Sequence, residues 1–210
     1  HAVEQLARER SGQPAIIVGD SPWKTFRDDT LFDRLVRQTS LIFFYDRMYA
    51  DPNPDRNWGF RHCFGLNFSA PASALREIGG FRVFPATYGY EDVEAAWRLR
   101  ERFGMPVLFR PRARAVHDHR YTAGGYLARE ESLGYAAWGF AQTAPQCAKE
   151  LFGRDILSPA ETAYSREYVE REANAAARAR ESFLGLERIP ADAIDGGHSA
   201  ELMNLIYEQH

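Results

Sequence analysis

Residues 64–120 decide the fold. They open with Phe64-Gly65-Leu66-Asn67-Phe68-Ser69-Ala70-Pro71 and reach a stop at Gly79-Gly80-Phe81. Tyr88-Gly89-Tyr90-Glu91-Asp92-Val93-Glu94 follows, and the stretch closes on Ala115-Val116-His117-Asp118-His119-Arg120. From Glu91 to Phe103 the spacing predicts a helix with Val93, Ala96, Trp97 and Phe103 inward and Arg98, Glu101 and Arg102 outward. Gly104 ends it and Pro106 forbids its continuation. Val107–Phe109 reads as a strand and 113–116 as another. Upstream, the alternation over 60–68 predicts a strand. Pro71 suits a helix start, with Ala72, Leu75 and Ile78 on one face and Gly79-Gly80 as its end.

Working outward, Ala15-Ile16-Ile17-Val18 is a continuous apolar run of the kind a buried α/β strand shows. Residues 2–10 read as a short amphipathic helix, and 30–49 as one long helix buried along much of its length. Residues 51–57, with two prolines, and 83–90, rich in aromatics, read as loops. Residues 122–125 read as a hinge-like loop. Beyond it, 126–151, 159–184 and 200–207 are helix formers.

Composition bounds the function. The chain has 210 residues, 45% hydrophobic and 13% aromatic, enough for a real core. Its formal net charge of -3 is too balanced for a nucleic-acid binder. Cys63 and Cys147 are too few for a disulfide framework or a zinc ribbon and read as buried thiols. The longest apolar run, Leu41–Tyr45, is far short of a membrane span, and no secretory signal is visible. The expected location is the cytoplasm, at or beside the inner face of the membrane. The chain starts at His1 without methionine, so residues upstream are expected to have been removed or left out.

Two places carry chemistry. Glu91 and Asp92 open a helix, where acids are stabilised by the helix dipole at ~0.3–1 kcal/mol each. That is one reading. The other is a substrate-holding acid beside a proton-accepting one, since neighbours on a helix point about 100° apart. His117 and His119 share a face if they lie on a strand. They are either one packed and one solvated histidine or a pair of metal ligands. Asp118 would point the other way and is not counted. The acid pair and the histidine pair are expected to share one cleft.

With these residues quoted, the stretch resembles the C-terminal half of the inverting, metal-dependent glycosyltransferases of family 2, of GT-A fold. It is also similar to the galactosyltransferase C-terminal domain. Leu66–Ser69, Ile78–Phe81, Gly89–Glu94, Trp97–Leu99 and 111–117 carry the resemblance, which covers about residues 1–120. It implies an α/β fold: a partial Rossmann-like sheet with flanking helices, lacking the N-terminal nucleotide-binding half, with a helical extension. The implied division is an acceptor-side half over 1–122 and the extension over 123–210.

The resemblance also implies roles. Asp92 would be the catalytic base, and Glu91 would hold the acceptor sugar with Tyr90 and Asn67. His117, with His119, would bind a divalent manganese or magnesium ion, and Arg120 a phosphate. The partners implied are a UDP- or GDP-sugar donor and a carbohydrate or lipid-linked acceptor, as in polysaccharide biosynthesis. The family's Asp-x-Asp pair is absent, so the chain alone is expected to bind donor poorly. The alternative is a non-catalytic acceptor-binding or assembly module, dimerising through the helical tail, where Tyr135, Trp138, Phe140 and Phe152 need burial unless, as is expected, they pack on the chain's own sheet. A metal-dependent hydrolase lacks carboxylates around the histidines.

Overall fold

The computed structural model describes residues 1–84 and 89–194. It is mixed α/β, with a three-stranded open sheet and eight α-helices among the described residues. The chain divides into two compact units, each drawn from three stretches. The first holds 1–22, 47–116 and 132–156, and the second 23–46, 117–131 and 157–210. This division follows packing, whereas the 122/123 boundary follows resemblance.

The first unit is built on the sheet. Strand β1 (Ile16–Asp20) is buried along its whole length. It pairs antiparallel with β2 (Phe68–Ser69) on one side and parallel with β3 (Val107–Arg114) on the other. A central strand covered on both faces must be apolar throughout, as Ile16-Ile17-Val18 is. The register breaks between Gly19, opposite Arg110, and Asp20, opposite Arg114, so residues 111–113 bulge out of the ladder. Pro111 can sit there because a bulged residue needs no ladder N–H. One continuous strand thus replaces the expected pair over 107–109 and 113–116.

Gly19 has no room for a side chain. A Cβ there would lie 2.2 Å from the Ala113 carbonyl oxygen and 2.5 Å from the Asn67 amide nitrogen. We expect Gly19→Ala to lower stability by ~1–3 kcal/mol, the usual cost of overpacking, as a fall in the thermal midpoint.

Helix α1 (Ala2–Ser11) forms where expected and ends on left-handed Gly12, yet none of its residues is buried. Val3 is 84% and Leu6 55% exposed, so its apolar side is not covered among the described residues. Its polar residues tie it down instead: Gln5 donates to the Ala15 and Ser69 carbonyls, and Glu4 pairs with Arg110. Helix α4 (Ala72–Glu77) follows Pro71 and stops at Gly79 and Gly80, both at positive φ. It buries Ala74, while Ala72 is exposed.

The strand expected over 60–68 is mostly absent: 60–62 are a 3-10 turn and only Phe68–Ser69 pair. Phe60 and Cys63 turn inward from that coil, where alternating aromatics mimic a strand pattern without a partner ladder. Helix α5 spans Glu91–Phe103, as read, and ends on left-handed Gly104.

The second unit is helical. Helix α2 (Leu31–Gln38) starts at a Thr30/Asp33 capping box and buries Leu31, Phe32, Leu35 and Val36. The single helix expected over 30–49 is two. Extended Thr39 ends α2, its hydroxyl donating to the Leu35 carbonyl, and α3 (Tyr45–Ala50) begins only later. Thr39 and Ser40 compete for backbone groups, which apolar periodicity does not register.

Helix α6 (Ala123–Thr143) starts inside the expected hinge, because the Glu187 carboxylate caps the Ala123 N–H at 2.7 Å. From residue 132 the chain is back in the first unit, where Pro145 restarts it as α7 (Pro145–Phe152) and splits the expected 126–151 helix. Helix α8 (Pro159–Gly185) matches its reading. Phe32, Tyr126, Phe183 and Leu186 form the core of the second unit, with Ile194 packed against it. Of the tail aromatics, Phe140 is buried in the first unit, whereas Tyr135 is 74% and Trp138 48% exposed. Both cysteines are buried free thiols. Among the described residues no helix is long and apolar enough to cross a membrane. The helix read over 200–207 and residues 85–88 of the aromatic loop lie outside the described residues.

Candidate active site

Asp92 sits in the first turn of α5, reached through Gly89 at φ 105° and Tyr90 at φ 73°. Left-handed backbone costs a non-glycine residue of order 1 kcal/mol, so something must hold Tyr90 there. Its ring stacks on Phe140 at 4.9 Å and 11°, and meets Phe152 edge-on at 5.7 Å. Tyr90, expected to contact substrate, is thus also a structural anchor for the helix start.

The Asp92 carboxylate is held from two sides. Gly65 N–H donates to Oδ2 at 2.7 Å, and Val93 N–H to Oδ1 at 2.7 Å. A Cβ on Gly65 would lie 3.1 Å from Oδ2, closer than almost any side chain tolerates, so glycine permits this approach. Two donors leave lone pairs free on a carboxylate that offers about four acceptor sites. Burial pushes the Asp92 carboxyl above its ordinary range, against the pull of the two amides, and the Glu91 charge adds to the rise. Glu91 is half-buried and makes no hydrogen bond or ion pair among the described residues. A positioned carboxylate with raised proton affinity suits a general base.

The helix behind Asp92 is fixed by residues that periodicity misassigned. Glu94 is fully buried, and Arg98, expected outside, is largely covered. Arg98 holds Glu94 with two bonds of 2.7 Å and donates onward to the Ile78 and Gly80 carbonyls. Arg82 adds a contact to Glu94 at 3.2 Å. The signal was present as an i,i+4 acid–base pair beside a double glycine. On the far side, Arg100 and the Trp97 indole N–H converge on Glu150.

Asn67 is fully engaged in the sheet. Its amide donates to the Asp20 and Ala113 carbonyls at 2.8 and 2.9 Å, and its oxygen lies 2.9 Å from a His1 ring nitrogen.

A chain so arranged can be compared with known proteins. Over 74 residues it is 35% identical to the pre-mycofactocin glycosyltransferase of Mycobacterium tuberculosis, in strains CDC 1551/Oshkosh and H37Rv alike. That partial match supports a glycosyltransferase relationship. It takes in 35% of this chain and about 15% of the length of the curated relatives. No family model matches, and neither does any solved structure.

The remaining predicted residues lie in the second unit. His117 and His119 are not on a strand: β3 ends at Arg114, and His117 makes one bridge, to Trp23. His117 packs edge-on against Trp23 at 4.3 Å, and burial, with the His119 charge, holds its imidazole below the ordinary range. Neutral imidazole is the ligating form, and the ring centroids are 5.9 Å apart. Yet no group of three or more His, Cys, Asp or Glu donors exists among the described residues. Manganese and magnesium take about six donors, mostly oxygens, so two imidazoles leave most of the shell to other groups. The residues present therefore do not hold a metal by themselves.

Asp118 pairs with Lys24 at 2.9 Å. Arg120 is spent on its own unit: Nε and Nη2 bond Asp33, Nη1 bonds Asp28, and Nη2 also reaches the Asp28 carbonyl. A phosphate would have to displace one of these. Burial raises the Asp33 carboxyl, but Arg120 and Thr30 outweigh it, and its net position lies below the ordinary 3.8. The folded value being the lower one, this carboxylate contributes stability above pH 3.8 that is lost as pH falls through the folded value. We expect Arg120→Ala to flatten that acid limb of a pH–stability profile.

Proposed function

We propose that this chain is the acceptor-side half of an inverting family 2 glycosyltransferase of GT-A type. It would transfer a sugar from a UDP- or GDP-sugar to a hydroxyl of a carbohydrate or lipid-linked acceptor. The observation that carries the reading is Asp92: a carboxylate of raised proton affinity, pinned at the tip of α5 by Gly65 and Val93. The acceptor oxygen bonds to the anomeric carbon as the bond from that carbon to the diphosphate oxygen breaks. The leaving electron pair stays on the diphosphate, and the acceptor proton passes to Asp92. Glu91, unpaired among the described residues, holds an acceptor hydroxyl.

A divalent ion, manganese or magnesium, would neutralise the leaving diphosphate. His117 and His119 would supply two of its donors, the rest coming from outside this pair. Replacing both histidines by alanine is expected to reduce manganese binding in the presence of UDP, read by electron spin resonance, by at least tenfold.

The test is transfer by the protein that carries this segment, supplied with UDP- and GDP-hexoses and oligosaccharide or lipid-linked acceptors. Product with inverted anomeric configuration supports the reading. Retention of configuration overturns it. The second reading, an assembly module that dimerises through the tail, is favoured by exposed Tyr135 and Trp138 on α6 and Tyr164, Tyr168 and Val169 on α8. Sedimentation of the chain as a concentration-dependent dimer supports that reading.

A further inference from the structure

In open α/β sheets, ligands meet the carboxyl ends of parallel strands. Here those ends are Asp20 on β1 and Arg114 on β3, brought opposite one another by the bulge at 111–113. The Asp20 side chain is 4% exposed and the Arg114 side chain 62%. Arg114 Nε lies 3.0 Å from Asp20 Oδ2. Burial and the neighbouring Asp20 carboxylate push the Tyr49 phenol up to about 12, so it stays protonated.

An exposed ion pair returns ~0–1 kcal/mol, whereas burying a carboxylate costs several. Stability therefore does not account for this pair. Its geometry does something else: it draws the Nε side of the guanidinium to the strand end. Arg114 makes no other polar contact among the described residues, so its terminal nitrogens remain for an anion. A guanidinium edge presents parallel N–H donors that match phosphate oxygens. Other cations near the strand end are engaged or unsupported. Arg110 is spent on Glu4 and Asp55, and Arg112 is exposed on the bulge with no ion pair among the described residues.

We propose that Arg114, oriented by buried Asp20 at the carboxyl edge of the sheet, binds a phosphate or diphosphate group of the substrate. As the contact to a nucleotide-sugar diphosphate, this rests on the transferase reading; as an anion site it stands without it.

The experiment titrates pyrophosphate, UDP and uridine into the full 210-residue chain and follows arginine side-chain nitrogen signals by NMR, with Arg114 assigned through Arg114→Lys. Pyrophosphate and UDP are expected to shift the Arg114 signals, and uridine to leave them in place. Arg114→Gln is expected to weaken pyrophosphate binding at least tenfold. Asp20→Asn should weaken it about threefold or more although Arg114 is intact, and Arg112→Gln less than twofold. Should Arg114→Gln fail to fold by circular dichroism, Arg114→Lys decides, with a loss of about threefold or more expected.

Binding unchanged in the Arg114 variants overturns the proposal, as does an equal loss in Arg112→Gln, or a response to UDP without one to pyrophosphate. Failure of sugar transfer with pyrophosphate binding intact removes the transferase reading and leaves the anion site.

Discussion

On the transferase reading, Asp92→Asn is expected to lower kcat for sugar transfer by about 10²–10⁴-fold, the range a positioned general base contributes, with a much smaller change in KM. The amide cannot take the acceptor proton, yet it keeps the size and most of the polarity of the side chain. The pH profile separates this from a packing defect. Burial, helped by Glu91, raises the folded Asp92 value above the ordinary 3.8, so the acid limb of kcat/KM should lie above that value and vanish in the variant. Glu91→Gln removes the like charge and should move the limb down without abolishing activity.

Linkage gives a second readout. A raised folded value means that stability from the protonated form is full below the unfolded value and is lost as pH rises through the folded one. Ionised Asp92 therefore costs the fold near neutral pH, and Asp92→Asn should escape that pH dependence. An Asn variant that transfers sugar at the parental rate would remove Asp92 from the chemistry.

Much of this geometry was legible because local signals dominate it. Helix α5, its glycine stop and strand β1 follow from periodicity, capping and a continuous apolar run, and the structure has all three. Readings failed where a distant partner outweighed a local pattern. Residues 60–68 alternate like a strand, but only Phe68 and Ser69 find β1 to pair with. Residues 107–116 looked like two strands because Pro111 interrupts them, and the bulge that accommodates Pro111 depends on Gly19 and Asn67. Ala123 begins a helix despite Gly124 and Gly125 because Glu187 caps it, 64 residues later in the chain. That Asp92 would sit in the first turn of a helix was legible from the periodicity that starts at Glu91. Its grip by Gly65 was not, since nothing local to 64–68 says which acid its N–H will meet. For Arg98, a charged residue read by habit as solvent-facing, the amphipathic pattern misled because its partner Glu94 lies buried on the same helix.

Arg98→Ala should be the most destabilising single change in the first unit, by about 3–5 kcal/mol, because it strands a buried carboxylate. Glu94 has no exposed surface and takes two bonds of 2.7 Å from the Arg98 guanidinium. Arg82 is half-exposed and contacts Glu94 at 3.2 Å, so it replaces only part of what is lost. The same change frees the Ile78 and Gly80 carbonyls and so releases the double-glycine turn from α5. The sign of the second mutation identifies the cause. If the penalty is the unpaired charge, adding Glu94→Leu to Arg98→Ala should recover much of the stability, since an apolar pair tolerates burial where a lone carboxylate does not. If the penalty comes mainly from the released turn, the double variant should be no better than the single. Chemical denaturation of the parent, both single variants and the double closes the cycle, and a loss below about 1 kcal/mol for Arg98→Ala would mean that Glu94 is not buried as a charge.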